Sequence, residues 1–187
     1  MNKPNIILDL DQTLISSEPF ESFDNKKHEK KTKLFKYKNM DDYYLVFERP
    51  GLQKFLKFLF KNFNVSVWTA ATKDYALFII ENMILKNKKN RHLDYIFFSY
   101  HCDISKKLTK NSKDLSLLWK TYKLKGYSKN NTIILDDNDE VYETQPNRTV
   151  RADPFEFTDE NSENDDFLKK ITPKLKQILH KISKLDK

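Results

Sequence analysis

Short, unbroken apolar runs punctuate an otherwise polar, lysine-rich chain. NIILDL (Asn5–Leu10), FNVSVWTA (63–70), YIFFSY (95–100) and TIILDD (Thr132–Asp137) each predict a strand buried on both faces. YYLVF (Tyr43–Phe47) predicts one more strand. Helical spacing alternates with these runs. Leu52, Phe55, Leu56 and Leu59 share one face behind Pro50, which suits a helix's first turn. Thr72 stands where a cap would open a helix through KDYALFIIENMI. Leu115, Leu118 and Trp119 mark another helix from about Lys113 to Tyr122. From Phe167 onward Leu168, Ile171, Leu175, Ile178, Leu179, Ile182 and Leu185 recur at helical spacing, with Pro173 starting the second part of that tail. Strands alternating with helices predict an α/β fold: a central, mainly parallel sheet flanked by helices.

Two stretches break the alternation. Residues 16–38 are polar, and Lys26, Lys27, Lys30, Lys31, Lys33, Lys36 and Lys38 face only Glu29 within 26–38. The segment reads as an exposed, partly mobile loop. With its flanks it makes a small flap insertion (16–42) after the first strand. Residues 153–166 carry seven acids and no base, and read as an exposed acidic loop before a C-terminal helix at 167–187. Between Ala70 and Ser112 the pattern holds one helix and one strand, too little for a large cap domain. A single domain over 1–187 is expected.

Composition narrows the chemistry. Lys and Arg (34) exceed Asp and Glu (27), a net charge of +7. Such a balance suits an anionic partner, although lysine- and asparagine-rich compositional drift accounts for it equally well. The one cysteine, Cys102, permits no intrachain disulfide, and the four histidines form no metal-ligand spacing. Gly51 and Gly126 are the only glycines and lie in no phosphate-cradling motif. The N-terminal apolar run is too short to span a bilayer, so an intracellular location, cytoplasmic or nuclear, is expected.

Ligands of parallel α/β sheets bind beyond the carboxyl ends of the strands. There the first run ends in Asp9 and Asp11, the second in Thr69, and the last in Asp136 and Asp137. Carboxylates gathered in one crevice raise each other's pKa unless a cation joins them. An oxygen-only donor set suits Mg²⁺. Lys113, ahead of the last strand, is a candidate to neutralise a phosphoryl group. At a strand end, Asp9 and Asp11 would project to the same side, with Leu10 turned into the core.

These residues resemble the haloacid dehalogenase (HAD) superfamily of phosphotransferases. DLDQTL matches its DxDxT signature, and Thr69 in VWTAAT, Lys113 in SKDLSLL and Asp136-Asp137 in IILDDND follow in the expected order. ERPGLQKFL, WTA, KDLSLL and DDNDEVYETQPNRTVRADPF further resemble the NLI-interacting-factor-like group, the RNA polymerase II carboxy-terminal-domain phosphatases. The resemblance spans roughly Asn5 to Phe157. It implies a Mg²⁺-dependent phosphatase acting on phosphoserine or phosphothreonine in protein. Asp9 would be the nucleophile forming an aspartyl-phosphate, and Asp11 the acid and base. Thr13 would hold the carboxylates in register. Thr69, Ala70 and Lys113 would bind phosphate. Asp9, Asp11 (through its carbonyl) and Asp137, assisted by Asp136, would hold the metal. The partner would be a phosphoprotein, with the polymerase C-terminal domain as a candidate. Nucleic acid is not required, no membrane is involved, and the oligomeric state is open. Phe20, Phe23, Tyr43 and Tyr44 are candidates for an apolar pocket beside the phosphosite. Two alternatives stand: a phosphatase for nucleic-acid 3′-phosphates or small metabolites, and a non-catalytic binding module like the mitochondrial inner-membrane translocase subunit of the same fold.

Overall fold

A computed structural model describes residues 3–185; Asp186 and Lys187, included in the expected C-terminal helix, and the side chain of Leu185 lie outside what is described. In chain order the elements are β1 (Asn5–Leu8), β2 (Ile15–Pro19), α1 (Asn25–Thr32), β3 (Tyr37–Met40), β4 (Tyr44–Glu48), α2 (Leu52–Asn62), β5 (Asn64–Trp68) and α3 (Lys73–Ile79), which runs on as a π-helical turn. Then come β6 (Leu93–Phe97), α4 (Ser99–Thr109), α5 (Ser116–Lys120), β7 (Thr132–Asp136), α6 (Asp139–Thr144), β8 (Thr149–Arg151) and α7 (Phe167–Leu185).

The main sheet has the order β6-β5-β1-β7-β8, and every pairing in it is parallel. The two-residue period of a strand divides the core into two layers. Ile6, Leu8, Val65, Val67, Ile133 and Leu135 face a layer built with α2, α3 and α7. Ile7, Trp68 and Ile134 face the other, filled from α4, α5 and α6 by Cys102, Leu117, Leu118 and Val141. Both faces of the sheet are covered, which is why its strands read as continuous apolar runs.

The structure departs from the sequence reading at several points. YIFFSY is not one strand: β6 ends at Phe97, and Ser99 and Tyr100 open α4, which the pattern did not announce. Helix α3 and its π-helical turn together cover the one helix expected between Ala70 and Ser112; α4 is added to it, but lies on the sheet as a core element rather than a cap. Lys113 does not open a helix. The Asp114 carboxylate accepts the Ser116 N–H at 2.8 Å, so α5 begins at Ser116 and leaves Lys113 in the preceding loop. Strand β8 and helix α6 are too short to carry a periodic signal. Helix α7 passes unbroken through Pro173. Pro173 and Lys169, whose carbonyl loses its helical donor, are both exposed, so water can take that donor's place.

The largest departure is the flap. Residues 16–38 are not a loop: β2 and β3 flank β4 in a separate antiparallel sheet, and α1 lies between them in sequence. Asp24 caps α1 by accepting the N–H groups of Lys26 and Lys27. The flap has its own core of Phe35, Leu45, Phe47, Phe155 and Phe157, with Phe20 and Phe23 packed against it. Phe155 and Phe157 come from the acidic 153–166 stretch, which is therefore only partly exposed. Phe157 stacks on Phe47 at 3.8 Å between centroids. Here the acids masked the signal, because two aromatics spaced by one residue are too few to register as a strand.

Candidate active site

The site forms at the carboxyl ends of β1, β5 and β7, at the mouth of a cavity of about 280 Å³. Asp9, Asp11, Thr69, Ala70, Lys113, Asp136 and Asp137 all line it. Strand β1 ends at Leu8, earlier than expected. Even so, Asp9 and Asp11 both reach the cavity, while Leu10 is fully buried between them.

The turn that follows β1 is held by its backbone. The Asp9 N–H donates to the Leu135 carbonyl (3.0 Å), and Leu14 and Ile15 both donate to the Leu10 carbonyl. Gln12 takes a left-handed conformation (φ 57°). Its carbonyl accepts the Phe155 N–H at 2.7 Å, so the acidic segment latches this turn.

Buried Lys113 sits between two buried carboxylates, donating to Asp9 Oδ1 (2.7 Å) and Asp136 Oδ2 (2.8 Å). Burial alone would lower its pKa, but the charges of Asp9 and Asp136 outweigh burial and hold the ammonium above its usual range. Its backbone is clamped as well. Buried Gln145 donates to the Lys113 carbonyl (2.7 Å) and accepts the Leu115 N–H (3.2 Å), and Glu140 accepts the Ser112 N–H.

Thr13 donates to Asp137 Oδ1 (2.9 Å) and lies 3.4 Å from Asp9 Oδ2, bridging the first and last motifs. The Thr69 N–H is spent on the Phe97 carbonyl, and its Oγ accepts the Ala71 N–H, so its hydroxyl hydrogen is left to point elsewhere. One carboxylate oxygen from each of Asp9, Asp136 and Asp137 lies within 4.8 Å of the others, a set that could hold a cation. The two neighbours differ: Asp136 is fully buried and takes both Lys113 and the Asn138 N–H, whereas Asp137 is half-buried at the cavity. Burial and the Asp9 charge push both their carboxyls upward. The Asp11 side chain stands outside this triad. Burial drives its carboxyl up to about 6, against the hydrogen bond from the Tyr75 hydroxyl.

Sequence reasoning missed several of these groups. Tyr75, on α3, donates its one hydroxyl hydrogen to Asp11, accepts from the Ser17 hydroxyl at 2.7 Å and meets Tyr44 edge-on. Ser16, Ser17 and Glu156 wall the cavity from the flap side. Of the four aromatics expected to form a pocket, Phe20 and Phe23 pack instead against the flap core, Tyr43 is exposed, and Tyr44 meets Tyr75. Arg49 is buried to 1% exposure. It forks onto both Asp165 oxygens (2.8 Å each) and donates to the carbonyls of Thr13 (3.0 Å) and Asp153 (2.8 Å). Its guanidinium also lies over the Phe155 and Phe167 rings. No local pattern gives these residues a role: Tyr75 lies inside the expected helix KDYALFIIENMI, and Arg49 lies inside the ERPGLQKFL match without a function of its own.

A wholly parallel five-stranded sheet, with a DxDxT turn on its central strand and a lysine bridging to the acids of the neighbouring strand, defines a HAD-type α/β protein. The chain belongs to the NLI interacting factor-like phosphatase family, whose model matches residues 4–186. It is 46% identical to the CTD phosphatase-like protein 355R of Invertebrate iridescent virus 6 over 180 residues, covering 94% of this chain and 99% of that one. It is 42% identical to the protein of the same designation in Invertebrate iridescent virus 3 over 175 residues, covering 90% and 93%. In fold it is similar to fission yeast RNA polymerase II CTD phosphatase Fcp1 bound to beryllium fluoride (TM-score 0.58, 18% identity). That match takes in 95% of this chain but spans only about half (51%) of the yeast one. Among the described residues no helix is long and apolar enough to cross a membrane.

Proposed function

We propose that this phosphatase hydrolyses phosphoserine or phosphothreonine carried on a protein chain, through an aspartyl-phosphate on Asp9 and with Mg²⁺ at the carboxylates. The observation that carries the reading is the environment of Asp9. Its carboxylate is fixed by Lys113 and Thr13 and faces a cavity shared with an Asp11 carboxyl raised to about 6. An Asp9 oxygen attacks phosphorus and the bond to the seryl oxygen breaks, while Asp11 gives that oxygen its proton. Asp11, now a carboxylate, then takes a proton from water as the water attacks phosphorus. The Asp9–phosphorus bond breaks, and phosphate and Asp9 are released. The Thr69 hydroxyl, the backbone at Ala70 and Lys113 bind the phosphoryl oxygens.

Oxygen-only donors fit Mg²⁺. Asp9, Asp137 and the Asp11 carbonyl would hold it. Asp136, already committed to Lys113 and the Asn138 N–H, would support from behind. When bound, the ion offsets phosphoryl charge and the mutual repulsion of the carboxylates. Protein substrates are favoured because the flap's aromatics pack into a core of their own and α4, the added helix between Ala70 and Ser112, lies on the sheet, so no folded cap domain is seen among the described residues. Tyr44 and Tyr75 stand beside that mouth as an apolar contact for residues flanking the phosphosite. The polymerase C-terminal domain is the candidate substrate, on the strength of the relatives' names.

The test is release of phosphate from a phosphopeptide panel, with and without Mg²⁺, beside 3′-phosphorylated oligonucleotides and small phosphate esters. Phosphopeptides should give the highest kcat/KM, and chelation should abolish turnover until Mg²⁺ is restored. Turnover that survives exhaustive chelation rules out the metal assignment. An oligonucleotide or metabolite that outperforms every phosphopeptide rules out the substrate class.

Asp11 supplies a second expectation. Asp11→Asn should cut turnover of a phosphoserine peptide by ~10² to 10⁴-fold, the usual share of acid–base catalysis. It should slow p-nitrophenyl phosphate far less in the first step, because that leaving group departs without a proton. Equal losses on both substrates in single-turnover kinetics would remove Asp11 from the acid role.

A further inference from the structure

A second cavity lies at the opposite end of the sheet from the carboxylates. It is an open groove of about 810 Å³ between α2, α7 and the residues entering β1. Pro4, just before β1, and Asn62, at the end of α2 before β5, place it at the amino ends of the parallel strands. Five lysines line it: Lys3, Lys54, Lys57, Lys61 and Lys176. No acid does so, although the chain has 27. Phe58 and Leu179, both half-buried, supply apolar surface between the charges.

The spacing is ordered. Lys54, Lys57 and Lys61 fall at i, i+3 and i+7 on α2, one row about 10 Å long. An extended peptide covers that length in about three residues, with alternate side chains turned to one face. The molecule is also polarised along its strands. Asp9, Asp11, Asp136, Asp137 and Glu156 surround the catalytic cavity against the single cation Lys113, while five lysines and His180 line the groove with no acid among them. An acidic segment is therefore repelled by the metal-free mouth and attracted to the far end.

We propose that this groove docks an acidic segment of a partner protein, with carboxylates alternating with apolar side chains. The lysines supply the charge complement, and Phe58 and Leu179 accept the apolar side chains. The apolar floor favours peptide over a nucleic-acid backbone, which offers phosphates but no aliphatic side chains. From Pro4 at the groove to Asp9 at the site the chain advances five positions along and just past β1. That separates the two by roughly 16 Å, so a docked segment leaves the catalytic mouth free.

The experiment is fluorescence anisotropy on the full chain. The probe is a labelled, unphosphorylated peptide of alternating Glu and Leu. Comparators are the same peptide with Gln for Glu, and single-stranded DNA and RNA of matched charge. The acidic peptide should bind and weaken as salt rises, and the Gln peptide should not bind. Lys54→Glu/Lys57→Glu/Lys61→Glu should weaken binding at least tenfold while melting within a few degrees of the wild type by circular dichroism. If the triple variant unfolds, Lys57→Glu and Lys61→Glu are tested singly, each with a smaller loss expected. The proposal falls if the acidic peptide does not bind, or if charge reversal leaves its affinity unchanged. It also falls if oligonucleotides bind and the peptide does not, or if sedimentation shows the groove filled by a second copy that the peptide cannot displace. None of these readouts depends on catalysis, so the result stands apart from the substrate assignment.

Discussion

Asp9→Asn should leave a folded protein with no measurable turnover, a loss of at least ~10⁴-fold, as expected when the nucleophile is removed from a set of groups that act as a unit. The amide nitrogen is a poor nucleophile at phosphorus, and the side chain no longer offers two anionic oxygens. The fold should survive, because the backbone bond from Asp9 to Leu135 remains and the remaining amide oxygen can still accept from Lys113. Beryllium fluoride, which mimics an aspartyl-phosphate, should inhibit the wild type but find no carboxylate in Asp9→Asn. The check is kcat on p-nitrophenyl phosphate and on a phosphopeptide, with a thermal melt to show folding. Turnover within tenfold of wild type on either substrate would end the covalent mechanism.

Lys113→Met should be the most destabilising single change at the site as well as an inactivating one. The side chain is 5% exposed and its two carboxylate partners 9% and 0%, so removing the ammonium leaves two acids facing each other in a dry environment. Breaking a buried pair in this way costs about 3 to 5 kcal/mol. In a chain of this size that corresponds to a fall in Tm of roughly 6 to 20 °C. Adding Asp136→Asn removes one of the stranded charges and should recover much of the lost stability with no recovery of activity, since phosphate still lacks its cation. Denaturant unfolding of the wild type, both single variants and the double variant gives the coupling directly. If Lys113→Met and the double variant are equally unstable, the charge argument is wrong and the lysine acts by packing alone.

The site was more legible in the sequence than the flap, and the reason is physical. Carboxylates at strand ends stand out because they interrupt apolar runs. Asp9, Asp11, Asp136 and Asp137 are therefore visible once the strands are read, as are Thr69 at the end of the second run and Lys113 ahead of the last; the family resemblance gives them roles. The strands of the parallel sheet showed themselves because they are buried on both faces. The flap strands are not. Tyr37–Met40 reads YKNM and is mostly exposed, so neither alternation nor an apolar run marks it. Its stability comes from pairing with β4 and from Phe155 and Phe157, which are more than a hundred residues away in sequence. The contacts of Tyr75 and Arg49 are illegible for a related reason: each owes them to partners from distant segments, and although Arg49 falls in the ERPGLQKFL match, local pattern does not name those partners.

Arg49 sets a rule for which changes the acidic segment can absorb. One guanidinium joins the carbonyl that follows the catalytic turn, the carbonyl of Asp153 and the carboxylate of Asp165. Substitutions at exposed Asp159 and Glu160 alter net charge and little else. Loss of Asp165 strands a buried cation beneath Thr13, and the disturbance reaches Asp9 through the Thr13 side chain. Variation among natural versions of this chain should accordingly be permissive at 159 and 160 and narrow at 165, whereas position 153 gives Arg49 only a backbone carbonyl that any residue supplies, so a graft of the segment from a relative should succeed only if it carries an acid at 165.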